Sequence, residues 1–150
     1  MIIRDILNMK GGAIFSMAPD GKVADAVSMM AGNDIGSLVV MDGGRMTGML
    51  TFREVLKALD QQSGNLADLR IRDVMVNDPI TGSPDDSLDH LREVMIKNHV
   101  RYLPVKDGEA LLGVISFHDV AKSVIKETSF ENRLLKRYIK NWPQDDDAPQ

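Results

Sequence analysis

Cysteine is absent from the 150 residues, which excludes disulfide bonds, thiolate catalysis and zinc sites built from cysteine. Aromatic residues are scarce, whereas ten methionines are present, so we expect this flexible thioether to fill gaps in the core. No apolar run approaches the roughly 18–20 residues needed to cross a bilayer. Residues 1–9 carry charges among their apolar positions and lack a signal-peptide core, so the cytoplasm is the expected compartment.

A concentrated positive surface is missing as well. The formal net charge is −4, and the only basic cluster is the short stretch 136–140. Because neutralising a phosphate backbone requires such a surface, we do not expect a nucleic acid as the main partner. The 43% hydrophobic and 27% charged residues are typical of a globular chain, which at this length forms one ordinary domain or two small ones that share a core.

What the sequence does contain is a duplication. A shift of 65 positions matches two copies without a gap, and upstream the shift becomes 68. The matches include Pro19-Asp20 with Pro84-Asp85, Met30 with Met95, Asn33 with Asn98, Asp42-Gly43 with Asp107-Gly108, Gly48 with Gly113, Phe52 with Phe117, and Ile3-Arg4-Asp5 with Ile71-Arg72-Asp73. Two copies are too few for a solenoid, so we expect one unit repeated in a single body.

Each copy predicts the order strand, helix, strand, strand, helix. Pro19-Asp20 and Pro84-Asp85 are interpreted as helix starts, where an acidic side chain accepts from free backbone N–H groups. Asp-Gly turns predict a hairpin in each copy. The predicted hairpin strands are 37–41 with 46–50 and 102–105 with 111–115, and the closing helices are 52–59 and 117–125.

These elements divide the chain into a first repeat at 1–60, a linker at 61–68 and a second repeat at 69–126. An amphipathic helix is predicted over 127–142, because Phe130, Leu134, Tyr138 and Trp142 recur at intervals of four residues. Its apolar stripe packs either on the body or a second subunit, or else on an unrelated partner. The acidic segment 143–150 is expected to be disordered.

The doubled motif resembles that of the CBS domain. The segments are Gly48-Met-Leu-Thr51-Phe-Arg-Glu54 and Gly113-Val-Ile-Ser116-Phe-His-Asp119, and Arg101-Tyr-Leu-Pro104-Val is similar to the family's preceding strand. The resemblance implies an α+β fold of tandem CBS domains, two βαββα repeats with pseudo-two-fold symmetry, as in small bacterial proteins that consist of the pair alone. It also implies a homodimer and clefts for an adenosine-containing ligand: AMP, ADP, ATP, NAD(H) or S-adenosylmethionine.

Physical reasoning supports an anion site at the two motifs. Thr51 and Ser116 follow a strand and begin a helix, where unpaired N–H groups and the helix dipole favour a phosphate. Asp119 is placed to accept from ribose hydroxyls. With the contacts implied by the resemblance, including loops at 10–13 and 79–81 for adenine, the candidate residues are Lys10, Gly36, Ser37, Thr51, Arg53, Arg101, Tyr102, Val114, Ser116, His118 and Asp119.

Other interpretations remain open. Thr51 and Glu54 also form a capping box that requires no ligand, and Glu54 departs from the family's aspartate. We therefore expect unequal clefts, with the Asp119 cleft the tighter. Histidine spacing predicts no metal site, and no nucleophile motif indicates an enzyme. The alternative to a nucleotide sensor is a dimerising structural module with vestigial clefts.

Overall fold

The computed structural model describes residues 1–140. The predicted acidic tail and Trp142 therefore lie outside the described residues. The helices are α1 (Ile3–Lys10), α2 (Val23–Gly32), α3 (Phe52–Gln61), α4 (Ile71–Val74), α5 (Leu88–Lys97) and α6 (Phe117–Lys140). The strands are β1 (Ser16–Met17), β2 (Ser37–Asp42), β3 (Arg45–Thr51), β4 (Val76–Asn77), β5 (Tyr102–Asp107) and β6 (Ala110–Ser116). The α+β class is confirmed.

The two hairpins are the same structure built twice. β2 pairs antiparallel with β3, and β5 pairs antiparallel with β6. Each hairpin has a register shift at an equivalent point, after Val40 in the first copy and after Val105 in the second. The turns place Gly43 and Gly108 at positive φ, which the Asp-Gly signal predicts because glycine adopts that conformation without steric cost.

The short outer strands distinguish the two copies. β1 lies parallel to β2, and its counterpart in the second copy is a single bridge between Gly82 and Val105. β4 pairs with β3, which extends the first sheet to four strands in the order β1-β2-β3-β4. The second sheet contains β5 and β6 alone, and helix α1 packs against β6.

The leading helix of each copy packs in the core of the other copy. Ile3 and Ile6 of α1 lie in a cluster with α5, β5 and β6, whereas Ile71 of α4 lies in a cluster with α2, β2 and β3. Both Ile3 and Ile71 are fully buried. This exchange joins the two halves through their cores, so the boundaries 1–60, 61–68 and 69–126 stay predictions about sequence units.

The prediction that the Pro-Asp pairs start helices is wrong. The helices begin at Val23 and Leu88, and Pro19-Asp20 and Pro84-Asp85 form turns before them. The carbonyl oxygens of Pro19 and Pro84 instead accept from the first turns of the exchanged helices, from Arg72 and Arg4 at 2.9 Å each. Asp20 and Asp85 pair with the same two arginines. The repeated dipeptide therefore docks a helix.

The prediction that the C-terminal helix is a separate element starting at residue 127 is also wrong. α6 runs from Phe117 to Lys140 without a break, so the helix predicted to end at residue 125 continues through the stripe. From residue 128 to residue 140 every side chain is exposed, including Leu135 and Ile139, which widen the stripe. Within residues 1–140, no helix combines the length and apolarity that spanning a membrane requires.

Candidate functional site

A single groove of about 1470 Å³ runs between the two repeats. Its walls come from β3 and α3 of the first repeat, β6 and α6 of the second, and the loops at 10–15 and 76–80. Both helix N-termini predicted to hold an anion, at Thr51 and at Ser116, open into it. The duplication therefore brings two copies of one motif to one shared cavity.

The N-terminus of α3 is closed by a capping box. Thr51 Oγ1 accepts from the N–H of Arg53 at 3.2 Å, and Glu54 Oε2 accepts from the N–H of Thr51 at 2.9 Å. The Thr51 hydroxyl also donates to Glu54 Oε2. Among residues 1–140, no cation forms an ion pair with Glu54, whose side chain lines the groove. The first motif thus presents a carboxylate to the cavity.

The N-terminus of α6 is capped in the same way but is arranged differently. Ser116 Oγ accepts from the N–H of Asp119 at 3.1 Å, and Asp119 Oδ2 accepts from the N–H of Ser116 at 2.9 Å. Lys10 Nζ donates to the same carboxylate oxygen at 2.6 Å and to the carbonyl oxygen of Val114 at 2.7 Å. Helix α1 of the other end of the chain is thereby attached to this motif.

The Lys10–Asp119 pair changes the electrostatics of the second motif. Burial raises the pKa of Asp119, but hydrogen bonds from Lys10 and from the Ser116 backbone outweigh that effect and hold the pKa below its usual value. The carboxylate is therefore ionised at neutral pH and neutralised by an ammonium group. Asp119 does not line the groove; it lies in a smaller pocket of about 440 Å³ behind Lys10.

Aromatic rings occupy the middle of the groove, where the two repeats meet. The rings of Phe52 and Tyr102 pack edge to face with centroids 6.3 Å apart. The Arg101 guanidinium carbon lies 5.3 Å above the Phe52 ring, a cation–π distance. Burial raises the pKa of the Tyr102 hydroxyl, although Arg101 opposes the effect, so this hydroxyl stays protonated. A Cβ at Gly36 would overlap Tyr102 Oη, so glycine is required there.

The structure brings together most of the residues that the sequence singled out. The groove is lined by ten of them: Lys10, Gly36, Ser37, Thr51, Arg53, Arg101, Tyr102, Val114, Ser116 and His118. Asp119 is the exception, because Lys10 stands between its carboxylate and the groove. Of the predicted adenine loops, Gly11, Ala13, Pro79 and Ile80 reach the groove. The role of each in binding stays a prediction.

The sequence reasoning missed several groove residues. Phe52 and Phe117 occupy the same position in the two motifs and are partly exposed to the groove. Asp34 and His99, also equivalent, line it with positive φ. The signal for the phenylalanines was present, since the same large apolar residue recurs at the first position of two helices, directly after the hydroxyl residues predicted to line the site. Positive φ at aspartate or histidine leaves no comparable signal.

The fold and the groove define a class: a paired-repeat module in which two βαββα units enclose a shared cavity. The chain belongs to the CBS domain family, whose profile matches residues 3–61 and 71–126. This match confirms the resemblance seen in the doubled motif.

Relatives and solved structures agree with that assignment. The chain is 29% identical over 146 residues to the mitochondrial CBS domain-containing protein CBSX3 of Arabidopsis thaliana, covering 91% of this chain and 71% of the relative. It resembles the CBS-domain protein ATU1752 of Agrobacterium tumefaciens, with a TM-score of 0.79 and 27% identity, over 82% of this chain and 98% of that one. It also resembles the CBS domain pair of protein MJ0100, with a TM-score of 0.74 and 22% identity, over 85% of this chain and 98% of that one. That structure is a complex with 5′-methylthioadenosine and S-adenosyl-L-methionine.

Proposed function

We propose that this CBS pair is a regulatory module that binds an adenine nucleotide in the groove between its repeats. The observation that carries the proposal is the convergence of two helix N-termini, each with a hydroxyl, on one cavity with apolar walls. Helix N-termini favour anions, and flat apolar surfaces suit a purine. At about 1470 Å³ the groove exceeds the roughly 300–1,000 Å³ of an ordinary ligand pocket, which suits two ligand positions.

The cations in the groove favour a phosphate-bearing ligand. Arg53, Arg101 and Lys10 line it, and so does His118, whose imidazole can donate a hydrogen bond to a phosphate. AMP, ADP and ATP are therefore the first candidates, with NAD(H) and S-adenosylmethionine next. The complex of the MJ0100 pair with two adenosyl compounds supports an adenosyl ligand. Because that neighbour is 22% identical in sequence, its support for the proposal comes from the similarity of its fold.

The proposed role is sensing rather than catalysis. Ser116 Oγ accepts from the Asp119 N–H, and the Asp119 carboxylate is held by Lys10, so this pair is arranged as a helix cap. A ligand that binds one arrangement of the two repeats more tightly shifts the population towards it, and a partner protein then reads the change.

Thermal unfolding with a ligand panel tests the proposal. A ligand present at 100 times its Kd adds about 2.7 kcal/mol to the free energy of unfolding, which raises Tm by about 5–10 °C in a chain of this size. We expect that rise with at least one adenine nucleotide and a smaller one with the matching guanine nucleotide. No rise with any adenosine compound would refute the proposal.

The second candidate is a dimerising module, and the exposed stripe on α6 favours it. Phe130 and Leu134 are 57% and 48% exposed and belong to neither hydrophobic core cluster. A contiguous exposed apolar face of this kind is typical of an association surface. We propose that a second copy of the chain covers it. Homodimerisation is compatible with nucleotide sensing, and the two functions separate experimentally.

A further inference from the structure

Lys10 forms the wall between the groove and Asp119. Its side chain lines both the groove and the smaller pocket behind it, whereas Asp119 lines the smaller pocket alone. Asp119, the acidic residue predicted to accept from ribose, is therefore bonded to Lys10 and does not itself line the groove. We call the Lys10–Asp119 ion pair the latch.

The latch is a strong contact by its geometry. The Nζ–Oδ2 distance is 2.6 Å, and the two side chains are 35% and 17% exposed, so water screens the pair only partly. Lys10 Nζ also donates to the Val114 carbonyl oxygen at 2.7 Å. A ligand that replaces Lys10 at Asp119 Oδ2 breaks the ion pair, and this is favourable only if the ligand offers the ammonium group another acceptor.

The backbone beside the latch is uncrowded. Lys10 is the last residue of α1, and Gly11 and Gly12 follow it. Within the described residues, a Cβ added at either glycine would meet no atom within 4 Å, and Gly11 has a φ of 87°. Lys10 lines both the groove and the smaller pocket, so turning its long side chain from Asp119 towards the groove requires no change in the buried clusters.

We propose that Lys10 makes the second-repeat half of the groove selective for adenosyl ligands that carry a phosphate, because the phosphate draws its ammonium group off Asp119 and so frees the carboxylate for the ribose. The inference rests on the proposed nucleotide-binding function. His118, next to Asp119 in the sequence, lines the groove at the same motif, where its imidazole can donate a hydrogen bond to the phosphate. A nucleoside supplies no anion, so it leaves the latch closed.

The first-repeat half has no latch. Glu54 lines the groove directly and, among residues 1–140, its carboxylate accepts hydrogen bonds only from Thr51. A neutral or cationic adenosyl ligand therefore meets an available carboxylate there. The two halves differ in the ligand each admits, which is a different asymmetry from the simple order of affinity that the sequence predicts.

Calorimetry with AMP and adenosine tests the latch. In the wild type we expect AMP to bind the Lys10 half about 10- to 100-fold more tightly than adenosine, the range of one charge-assisted hydrogen bond. The variant Lys10→Met keeps the unbranched side chain, shorter by one atom, and removes its charge. We expect it to weaken AMP binding and strengthen adenosine binding, so that the ratio falls to within about threefold.

Two control variants keep the result interpretable. Lys10→Arg retains a cation and should preserve the wild-type ratio, whereas Lys57→Met removes a lysine that does not line the groove and should leave the ratio unchanged. A Lys10→Met protein with the wild-type ratio would overturn the latch while leaving the proposed function intact. A wild type that binds AMP no more tightly than adenosine would also overturn the latch, whereas the proposed function fails only if no adenosine compound binds.

Discussion

At the scale of single residues, Gly48 and Gly113 show how two equivalent positions come to differ. Gly48 lies in β3, and Gly113 lies in the equivalent strand β6 of the second repeat. A Cβ at Gly48 would lie 2.6 Å from the carbonyl oxygen of Val76, which belongs to the paired strand β4. A Cβ at Gly113 would lie 2.8 Å from the end of the Leu7 side chain. A backbone atom held in a sheet cannot yield, whereas the tip of a leucine can rotate.

The two glycines therefore predict unequal costs for the same substitution. We expect Gly48→Ala to lower the free energy of unfolding by about 1–3 kcal/mol, because it forces β4 away from β3. Gly113→Ala, its matched control in the second repeat, should cost less than about 1 kcal/mol. Urea denaturation at neutral pH measures both. Equal losses would contradict the strand pairing at β4.

Most of the candidate site could be predicted at this scale, and the exception has a physical reason. Thr51 and Ser116 were recognisable because a hydroxyl where a strand gives way to a helix has a local chemical role. The position of Asp119 behind Lys10 was not, because these residues are 109 positions apart and only folding brings them together. Sequence spacing carries no information on such a pair.

At the scale of elements, the exchanged helices α1 and α4 carry the connection between the repeats. The hairpins were predictable, because Asp-Gly turns between short apolar runs are local signals. The exchange was not predictable, since the repeated Ile-Arg-Asp sequence looks the same whichever core receives it. The unbroken course of α6 was predictable but was missed. Residues 125–127, Ile-Lys-Glu, contain no glycine or proline that would end a helix.

The exchange predicts where a core mutation acts. Ile3→Ala should cost about 2–4 kcal/mol, as expected for a buried isoleucine, and should reduce hydrogen-exchange protection mainly in β5 and β6. Ile71→Ala is the matched control and should reduce protection mainly in β2 and β3. If each change instead weakened the hairpin of its own repeat, β2–β3 for Ile3 and β5–β6 for Ile71, the exchanged packing would be wrong.

The exposed end of α6 makes a prediction about association. Leu134→Lys places a charge in the stripe, so we expect it to convert a dimer to a monomer in light scattering. Asn132→Lys adds the same charge two residues away, on the opposite side of the helix, and should leave the dimer intact. A wild type that is monomeric at high concentration would contradict a second copy as the partner on this face.

At the scale of the whole molecule, pseudo-symmetry creates one groove from two motifs while the sequence makes its halves unequal. Arg101 and Tyr102 occupy the positions that Gly36 and Ser37 hold in the other copy. The large side chains therefore come from the second repeat, and Gly36 of the first leaves room for the Tyr102 ring. The latch adds a second difference between the halves, because Asp119 is paired with Lys10 whereas, among residues 1–140, Glu54 is paired with no cation. If the proposed function holds, we expect these two differences to make the two halves of the groove bind different adenosyl ligands.

The central claim is that an adenine nucleotide occupies this groove, and a crystal structure of the protein saturated with AMP tests it most directly. We expect AMP between the two repeats, with its phosphate at a helix N-terminus beside Ser116 or Thr51. Electron density for AMP elsewhere on the molecule, with the groove empty under saturating conditions, would contradict the account.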